Sequence, residues 1–138
     1  MKYYKLFRES GEPTFTIPLY LCQETREKLP DLWCRQSTVE EMREEIRQSI
    51  EPIDRYEYLV LDDEGKLRAM MVILPHYNPH HGVHLYTAYS FSADPGLLAG
   101  GYRWMVELGK GLSCDGVLFS RQVGEFEMSE KYKRLKHE

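Results

Sequence analysis

The stretch KLRAMMVIL, residues 66–74, decides the fold of this chain. Strand alternation places Met71 and Ile73 on one face. Met70, Val72 and Leu74 then point to the opposite face. A run that is apolar on both faces is typical of a central strand covered on both sides. We therefore predict helices on one face of this strand and the remaining chain on the other.

Neighbouring segments extend this strand into a sheet. Further strands are predicted at residues 2–8, 56–61, 84–92 and 116–120. The turn DDEG at 62–65 and a loop over 75–82 join three successive strands, which indicates an antiparallel meander. The predicted strand at 84–92 has one face made of Leu85, Thr87, Tyr89 and Phe91.

Two helices are predicted before the meander. The first runs from a Thr16 cap to about Leu29, with Pro18 in its first turn. The second follows the capping-box patterns of Ser37 with Glu40 and Thr38 with Glu41, and Pro52 stops it. Its apolar face comprises Val39, Met42, Ile46 and Ile50.

A third helix and an ambiguous tail follow the meander. The pair Asp94-Pro95 predicts the helix start. The apolar positions of this helix are Leu98, Tyr102, Met105 and Leu112. In residues 123–137, a strand would align Phe126, Met128 and Tyr132, whereas a helix would align Met128, Tyr132 and Leu135. We favour the strand, because Val123-Gly124-Glu125 is typical of a hairpin turn.

Bulk properties narrow the class of protein. The 138 residues suit a single domain spanning 1–138. A net charge of −4 gives no support for binding nucleic acid or an anionic membrane. Three cysteines at irregular spacing and the lack of an apolar run of about 18 residues predict a cytoplasmic protein.

The order of elements resembles the GNAT family of acyl-CoA N-acyltransferases, most specifically over residues 56–120. The shared features are the meander, the strand ending in Ser92-Ala93-Asp94-Pro95, and the Gly-containing segment that opens a helix. The resemblance implies an α/β (α+β) fold with a mixed, mostly antiparallel sheet flanked by helices. It also implies that acetyl-CoA is held by a loop of pattern Arg/Gln-x-x-Gly-x-Gly/Ala, in which backbone N–H groups bind the pyrophosphate.

On this sequence that loop falls on Leu98-Ala99-Gly100-Gly101-Tyr102-Arg103. Leu98 stands where the family has Arg or Gln, and Arg103 stands where it has Gly or Ala. Gly101 alone matches its diagnostic position. The glycine pair is explained equally well by close packing of a helix on a strand.

The resemblance also directs attention to catalytic groups. Such enzymes use a general base near the third or fourth strand, and often a Tyr that protonates the leaving thiolate. No acidic residue lies inside 66–74 or 84–92. The candidates are His84 or His76 as base, Tyr89 or Tyr86 on the strand facing acyl-CoA, and Tyr132 as acid if the tail is a helix.

A cluster of histidines occupies the predicted loop, at His76, His80, His81 and His84. Three imidazoles in a loop are able to bind zinc, but the spacing matches no established zinc pattern and no cysteine lies nearby. The alternative is a polar hairpin tip, and we expect no metal.

Two functions follow from the resemblance. Some small internal virion proteins of short-tailed phages are similar GNAT-like domains without catalytic features. The departures at Leu98 and Arg103 favour such a diverged domain, which binds a protein partner as a phage virion or accessory component. The alternative is an acetyl-CoA-dependent N-acetyltransferase acting on an unknown amine.

Overall fold

A computed structural model of the protein describes residues 1–124 and 127–136. Three helices accompany one sheet in an α+β arrangement. In chain order the elements are β1 (Lys2–Arg8), α1 (Leu19–Lys28), α2 (Val39–Ile50), β2 (Arg55–Leu61), β3 (Leu67–Asn78), β4 (Gly82–Ser92), α3 (Ala99–Gly111), β5 (Gly116–Gly124) and β6 (Glu127–Arg134). The six strands follow one another in the sheet in the order β1-β2-β3-β4-β5-β6, which confirms the predicted mixed, mostly antiparallel sheet.

Strand β3 lies inside the sheet and both of its faces are covered, as predicted, but helices lie on both faces and not on one alone. Val72 and Ile73 are each 0% exposed. Val72 belongs to the cluster that packs under α1 and α2, whereas Ile73 belongs to the cluster that packs under α3. The two clusters define an α1/α2 face and an α3 face of the sheet.

The hairpin of β3 and β4 is longer than predicted. Residues 75–78 continue β3, and Asn78 pairs with Gly82, so the predicted loop over 75–82 was wrong. The backbone is held there by strand pairing although Pro75, His76 and Tyr77 are exposed. Burial is therefore not what extends the strand, and a burial pattern in the sequence could not reveal it.

An irregular register in β4 changes which side chains share a face. Val72 pairs with Tyr89 and Ile73 with Thr87, so Ala88 is the extra residue of a bulge. Leu85 packs on the α3 face, whereas Tyr89 and Phe91 pack on the α1/α2 face. The prediction that Leu85, Tyr89 and Phe91 share a face was wrong, because the bulge resets the alternation.

The helices differ in how well their starts were predicted. Thr38 caps α2 by accepting a hydrogen bond from the Glu41 backbone N–H at 3.1 Å, as predicted. Helix α1 begins at Leu19 after Pro18, without a side-chain cap, so the Thr16 cap was wrong. Helix α3 begins at Ala99, five residues beyond the predicted Asp94 cap.

The tail forms strand β6, which confirms the strand prediction for this segment. Leu118 of β5 pairs with Tyr132 of β6. The predicted Glu125 turn residue and Phe126 lie outside the described residues. No helix within residues 1–124 or 127–136 is long and apolar enough to cross a membrane.

Candidate functional site

The two parallel strands of the sheet, β4 and β5, pair along only part of their length. Pairing between β4 and β5 covers only residues 84–86 with residues 116–118. Beyond Tyr86 and Leu118 both strands continue without pairing to each other. A wedge therefore opens between their carboxyl ends, and the start of α3 lies beside it. The resemblance implies that the cofactor loop and Tyr89 face this wedge.

The predicted cofactor loop is used largely for internal packing. The Leu98 side chain is only 8% exposed and belongs to the cluster under α3. A Cβ atom at Gly101 would lie 2.6 Å from Met71 Sδ and 2.8 Å from Tyr58 Cδ1, and one at Gly100 would meet the Tyr58 hydroxyl. The glycine pair therefore lets α3 approach β2 and β3 closely. Packing explains both glycines without an anion.

The remaining loop side chains are divided between two surfaces. Tyr102 packs edge-on against Phe119 of β5, with ring centroids 5.3 Å apart. Arg103 lies on the β2 side of α3, because its Nη2 atom and the Tyr58 hydroxyl are both within 4 Å of the position of a Cβ at Gly100. Burial raises the pKa of the Tyr58 hydroxyl, and the positive charge of Arg103 acts in the opposite direction. Ala99 is exposed at the first helical position.

An open pocket of about 480 Å³ remains beside the start of α3. Lys28, Asp94, Gly96 and Tyr102 are among the residues that line it. Asp94 does not cap the helix, and its carboxylate instead forms an ion pair with the Arg68 guanidinium at 2.7 Å. This carboxylate opposes an anionic ligand at the position where pyrophosphate was predicted, whereas Lys28 favours one.

Tyr89 lies on the α1/α2 face, on the floor of a second pocket. Its hydroxyl is 2.8 Å from Ser49 Oγ, and Ser49 Oγ itself donates to the Ile46 carbonyl at 2.7 Å. A serine hydroxyl has one proton, so Tyr89 is the donor in the bond that joins the two. The Tyr89 proton is therefore committed to Ser49 and is not directed at the wedge.

Tyr132 and His84 each lie beside His81, near the turn of the β3–β4 hairpin. The Tyr132 hydroxyl donates to the His81 carbonyl at 3.1 Å, and its ring stacks on His81 with centroids 4.5 Å apart. His84 is 1% exposed, and its Nδ1 lies 3.0 Å from the Gly82 carbonyl. Because a carbonyl only accepts, Nδ1 carries the proton in this bond. Tyr132 and His84 thus have His81 as a common neighbour, whereas Tyr89 packs on the α1/α2 face away from them.

The histidine cluster is a packed hairpin end. His76 and His81 each lie 5.5 Å from His84 between ring centroids, in edge-on contact. The Asn78 side chain accepts from the backbone N–H groups of His80 and His81, which stabilises the turn. Across the described residues, no three His, Cys, Asp or Glu side chains are arranged to hold a metal ion.

An exposed aromatic surface on the α3 face was missed from the sequence. Tyr3 and Phe7 of β1 are 55% and 52% exposed. Phe7 contacts Tyr56 at 5.1 Å between ring centroids, and Trp104 of α3 lies 6.2 Å from Tyr56. Tyr58 forms the floor, 6.3 Å from both Tyr3 and Trp104. We call the four outer residues, Tyr3, Phe7, Tyr56 and Trp104, the aromatic face.

The signal for this surface was present in β1. Alternation over residues 2–8 puts Tyr3, Lys5 and Phe7 on one face of the strand. In the part of the chain that the structure describes, one helix follows the meander. It packs over β2 to β5, so β1 is left bare on that side. Neither family models nor curated proteins match the chain.

Proposed function

We propose that this chain is a diverged GNAT-like domain that binds a protein partner through its aromatic face and has a degenerate acyl-CoA loop. The observation that carries the proposal is the aromatic face itself. Tyr3 and Phe7 expose about half of their surface in a contiguous group with Tyr56 and Trp104. Aromatic side chains dominate the energetic centres of protein interfaces, and clustered exposure of this kind marks such sites.

The edge position of β1 supports the same proposal. Strand β1 pairs with β2 on one side, and its other side is the edge of the sheet. Lys5, between Tyr3 and Phe7 on the same face of the strand, supplies positive charge there. A partner with an apolar centre and acidic rim therefore complements this surface.

The cofactor loop supports a binding role over catalysis. Leu98 is packed in the core, and the Gly100–Gly101 pair is filled by Tyr58 and Met71. An arginine or glutamine donor at position 98 is missing, and Asp94 places a carboxylate near the anion position. On the likeness to small internal virion proteins, we extend the proposal to a virion or accessory component of a phage.

A second candidate is an acetyl-CoA-dependent N-acetyltransferase acting on an unknown amine. The divergence of β4 from β5 beyond Tyr86 favours it, because a wedge between parallel strands is able to receive an extended ligand. Lys28 at the pocket beside α3 would then contact the pyrophosphate.

Calorimetry with acetyl-CoA distinguishes the two candidates. We expect a dissociation constant weaker than about 100 µM, since the anion site lacks its side-chain donor. The double variant Leu98→Arg, Arg103→Gly restores the family pattern and should bind more tightly than the native chain. Micromolar binding by the native protein would instead establish the second candidate, and an unimproved double variant would contradict the assignment of the loop.

The aromatic face is tested with a matched pair of substitutions in β1. Tyr3→Ser removes an aromatic ring from the face, whereas Tyr4→Ser removes an exposed ring from the other side of the same strand. Affinity capture from the native host should yield a partner with Tyr4→Ser and lose it with Tyr3→Ser. Equal recovery by the two variants would contradict the proposed surface.

A further inference from the structure

A pocket of about 470 Å³ lies on the α1/α2 face, away from the aromatic face. It is enclosed by the connection between α1 and α2, by α2 itself and by the bulged part of β4. Its polar wall contains Gln36 and Glu45, and its aromatic wall contains Trp33, Tyr89 and Phe91. Neither the proposed partner surface nor the predicted cofactor loop uses these residues.

Gln36 is one of the residues that line this pocket, and its side chain carries a buried, unused acceptor. It is 9% exposed, and among the described residues its Oε1 atom has no hydrogen-bond partner. Its Nε2 donates to Glu45 Oε2 at 2.6 Å, and its backbone carbonyl accepts from Arg26 Nη2 at 2.7 Å. A reversed amide would set an oxygen against the carboxylate, so the orientation is fixed by chemistry. A buried acceptor without a donor is costly, which points to a ligand that supplies one.

Three hydroxyl groups that line the pocket, those of Thr25, Ser49 and Tyr89, already donate their protons within the protein. Thr25 donates to the Leu21 carbonyl at 2.8 Å, and Ser49 donates to the Ile46 carbonyl at 2.7 Å. Tyr89 donates to Ser49, as derived above. Toward a ligand, these three oxygens are able only to accept. Together with Gln36 Oε1 and the Glu45 carboxylate they select a ligand rich in N–H donors.

The aromatic wall selects the shape of that ligand. Trp33 and Tyr89 stack at an interplanar angle of 24°, with centroids 6.1 Å apart. Tyr89 and Phe91 stack at 11°, with centroids 6.0 Å apart. The ring planes are thus close to parallel. A planar cation stacks on such rings and gains from their negative faces, and a guanidinium does so better than a compact ammonium.

We propose that this pocket binds an alkylguanidinium cation, whose N–H groups donate to Gln36 Oε1 and Glu45 while its plane stacks on Trp33 and Tyr89. Glu45 is exposed at the mouth and supplies the negative charge. The cation comes either from a small molecule or from an arginine side chain. This site is on the opposite face of the sheet from the proposed partner surface, so the two proposals are independent of each other.

Fluorescence of Trp33 reports the binding directly. Trp104→Phe leaves Trp33 as the single indole and changes only the α3 face. In this background we expect saturable quenching by n-butylguanidinium with a dissociation constant on the order of 1 mM. n-Butylamine should bind several-fold more weakly, and neutral butyramide at least about tenfold more weakly.

Two substitutions in the polar wall test the contacts. Glu45→Gln removes the charge but keeps an oxygen for Gln36, so it should weaken n-butylguanidinium about tenfold and leave neutral butyramide unchanged. Gln36→Met removes the orphan acceptor and should also weaken n-butylguanidinium about tenfold. Glu40→Gln, which makes the same charge change elsewhere on α2, is the control and should bind as the native protein does. Thermal melting verifies that each variant folds.

The outcomes separate the proposal from its rivals. Equal binding of butyramide and n-butylguanidinium would overturn it in favour of an apolar slot. Equal weakening by Glu45→Gln and Glu40→Gln, or no saturable quenching, would also overturn it. Capped arginine, N-acetyl-arginine methylamide, distinguishes the sources: binding as tight as n-butylguanidinium supports a partner's side chain, and tighter binding of the free cation supports a small molecule.

Discussion

Replacing Gly101 by alanine tests whether the glycine pair of α3 exists for packing or for an anion. The new Cβ would lie 2.6 Å from Met71 Sδ and 2.8 Å from Tyr58 Cδ1. Both neighbours are buried, at 0% and 3% exposure, so neither has room to move. Overpacking of this kind costs about 1–3 kcal/mol. Alanine in a helix returns up to about 1 kcal/mol through propensity, so the net change is about 0–2 kcal/mol of destabilisation.

Gly111→Ala in the same helix is the matched control. Nothing lies within 4 Å of a Cβ at Gly111, and its backbone φ is not positive, so the substitution should be neutral or stabilising. Because both variants gain propensity, the difference between them measures mainly the contact cost. For a chain of 138 residues, about 1–3 kcal/mol corresponds to roughly 3–15 °C in Tm. Calorimetric melting of the two variants provides the measurement. If Gly101→Ala melts at or above Gly111→Ala, the close helix–strand contact is not what this glycine serves.

Three further outcomes follow from the core, the hairpin and the thiols. Val72→Asp and Ile73→Asp should each prevent folding, because a lone buried carboxylate costs several kcal/mol on either face of β3. A cooperative thermal melt from either variant would contradict the central position of the strand. His80→Ala should change the free energy of unfolding by less than about 0.5 kcal/mol. His81→Ala loses its stack on Tyr132 and should lower the free energy of unfolding by about 0.5–1.5 kcal/mol. Urea titration compares the two variants, and equal costs would show that the stack contributes nothing. Cys34 is exposed and should react with a thiol reagent in the native protein, while the two buried thiols, whose pKa is raised by burial, should react only on unfolding.

Periodicity in the sequence was sufficient for most of the element order. Strand β1 has its predicted ends, and the buried positions of α2 are the predicted Met42, Ile46 and Ile50. These elements were accessible because one face of each is apolar at a regular spacing. The apolar run in β3 likewise indicated burial on both faces.

Features that depend on neighbouring elements could not be predicted in this way. The bulge at Ala88 inverts the later part of β4, yet nothing in the local alternation signals it. Leu112 continued the helical spacing but is 48% exposed, because α3 ends at Gly111. Arginine is usually a surface residue, yet Arg55 is fully buried. Its burial is possible because Glu57 and the carbonyl of Ile50 accept hydrogen bonds from its N–H groups.

The candidate sites show the same division. The glycine pair was visible in the sequence, but its purpose depends on Tyr58, which lies more than forty positions earlier. The acceptor wall around Gln36 was not predicted, because glutamine in a polar connection carries no distinctive spacing. Its significance comes from burial and from the carboxylate of Glu45, both of which arise only in the folded chain.

The brief pairing of β4 with β5 divides the sheet into two antiparallel blocks, one of four strands and one of two. Only residues 84–86 and 116–118 join them through strand hydrogen bonds, so this seam is the weakest line across the sheet. We expect amide hydrogens along β5 and β6 to exchange as one cooperative unit, ahead of those in β2 and β3. Folding should follow the reverse order: the local hairpins form first, and the parallel seam, which must wait for α3 to close its loop, forms last.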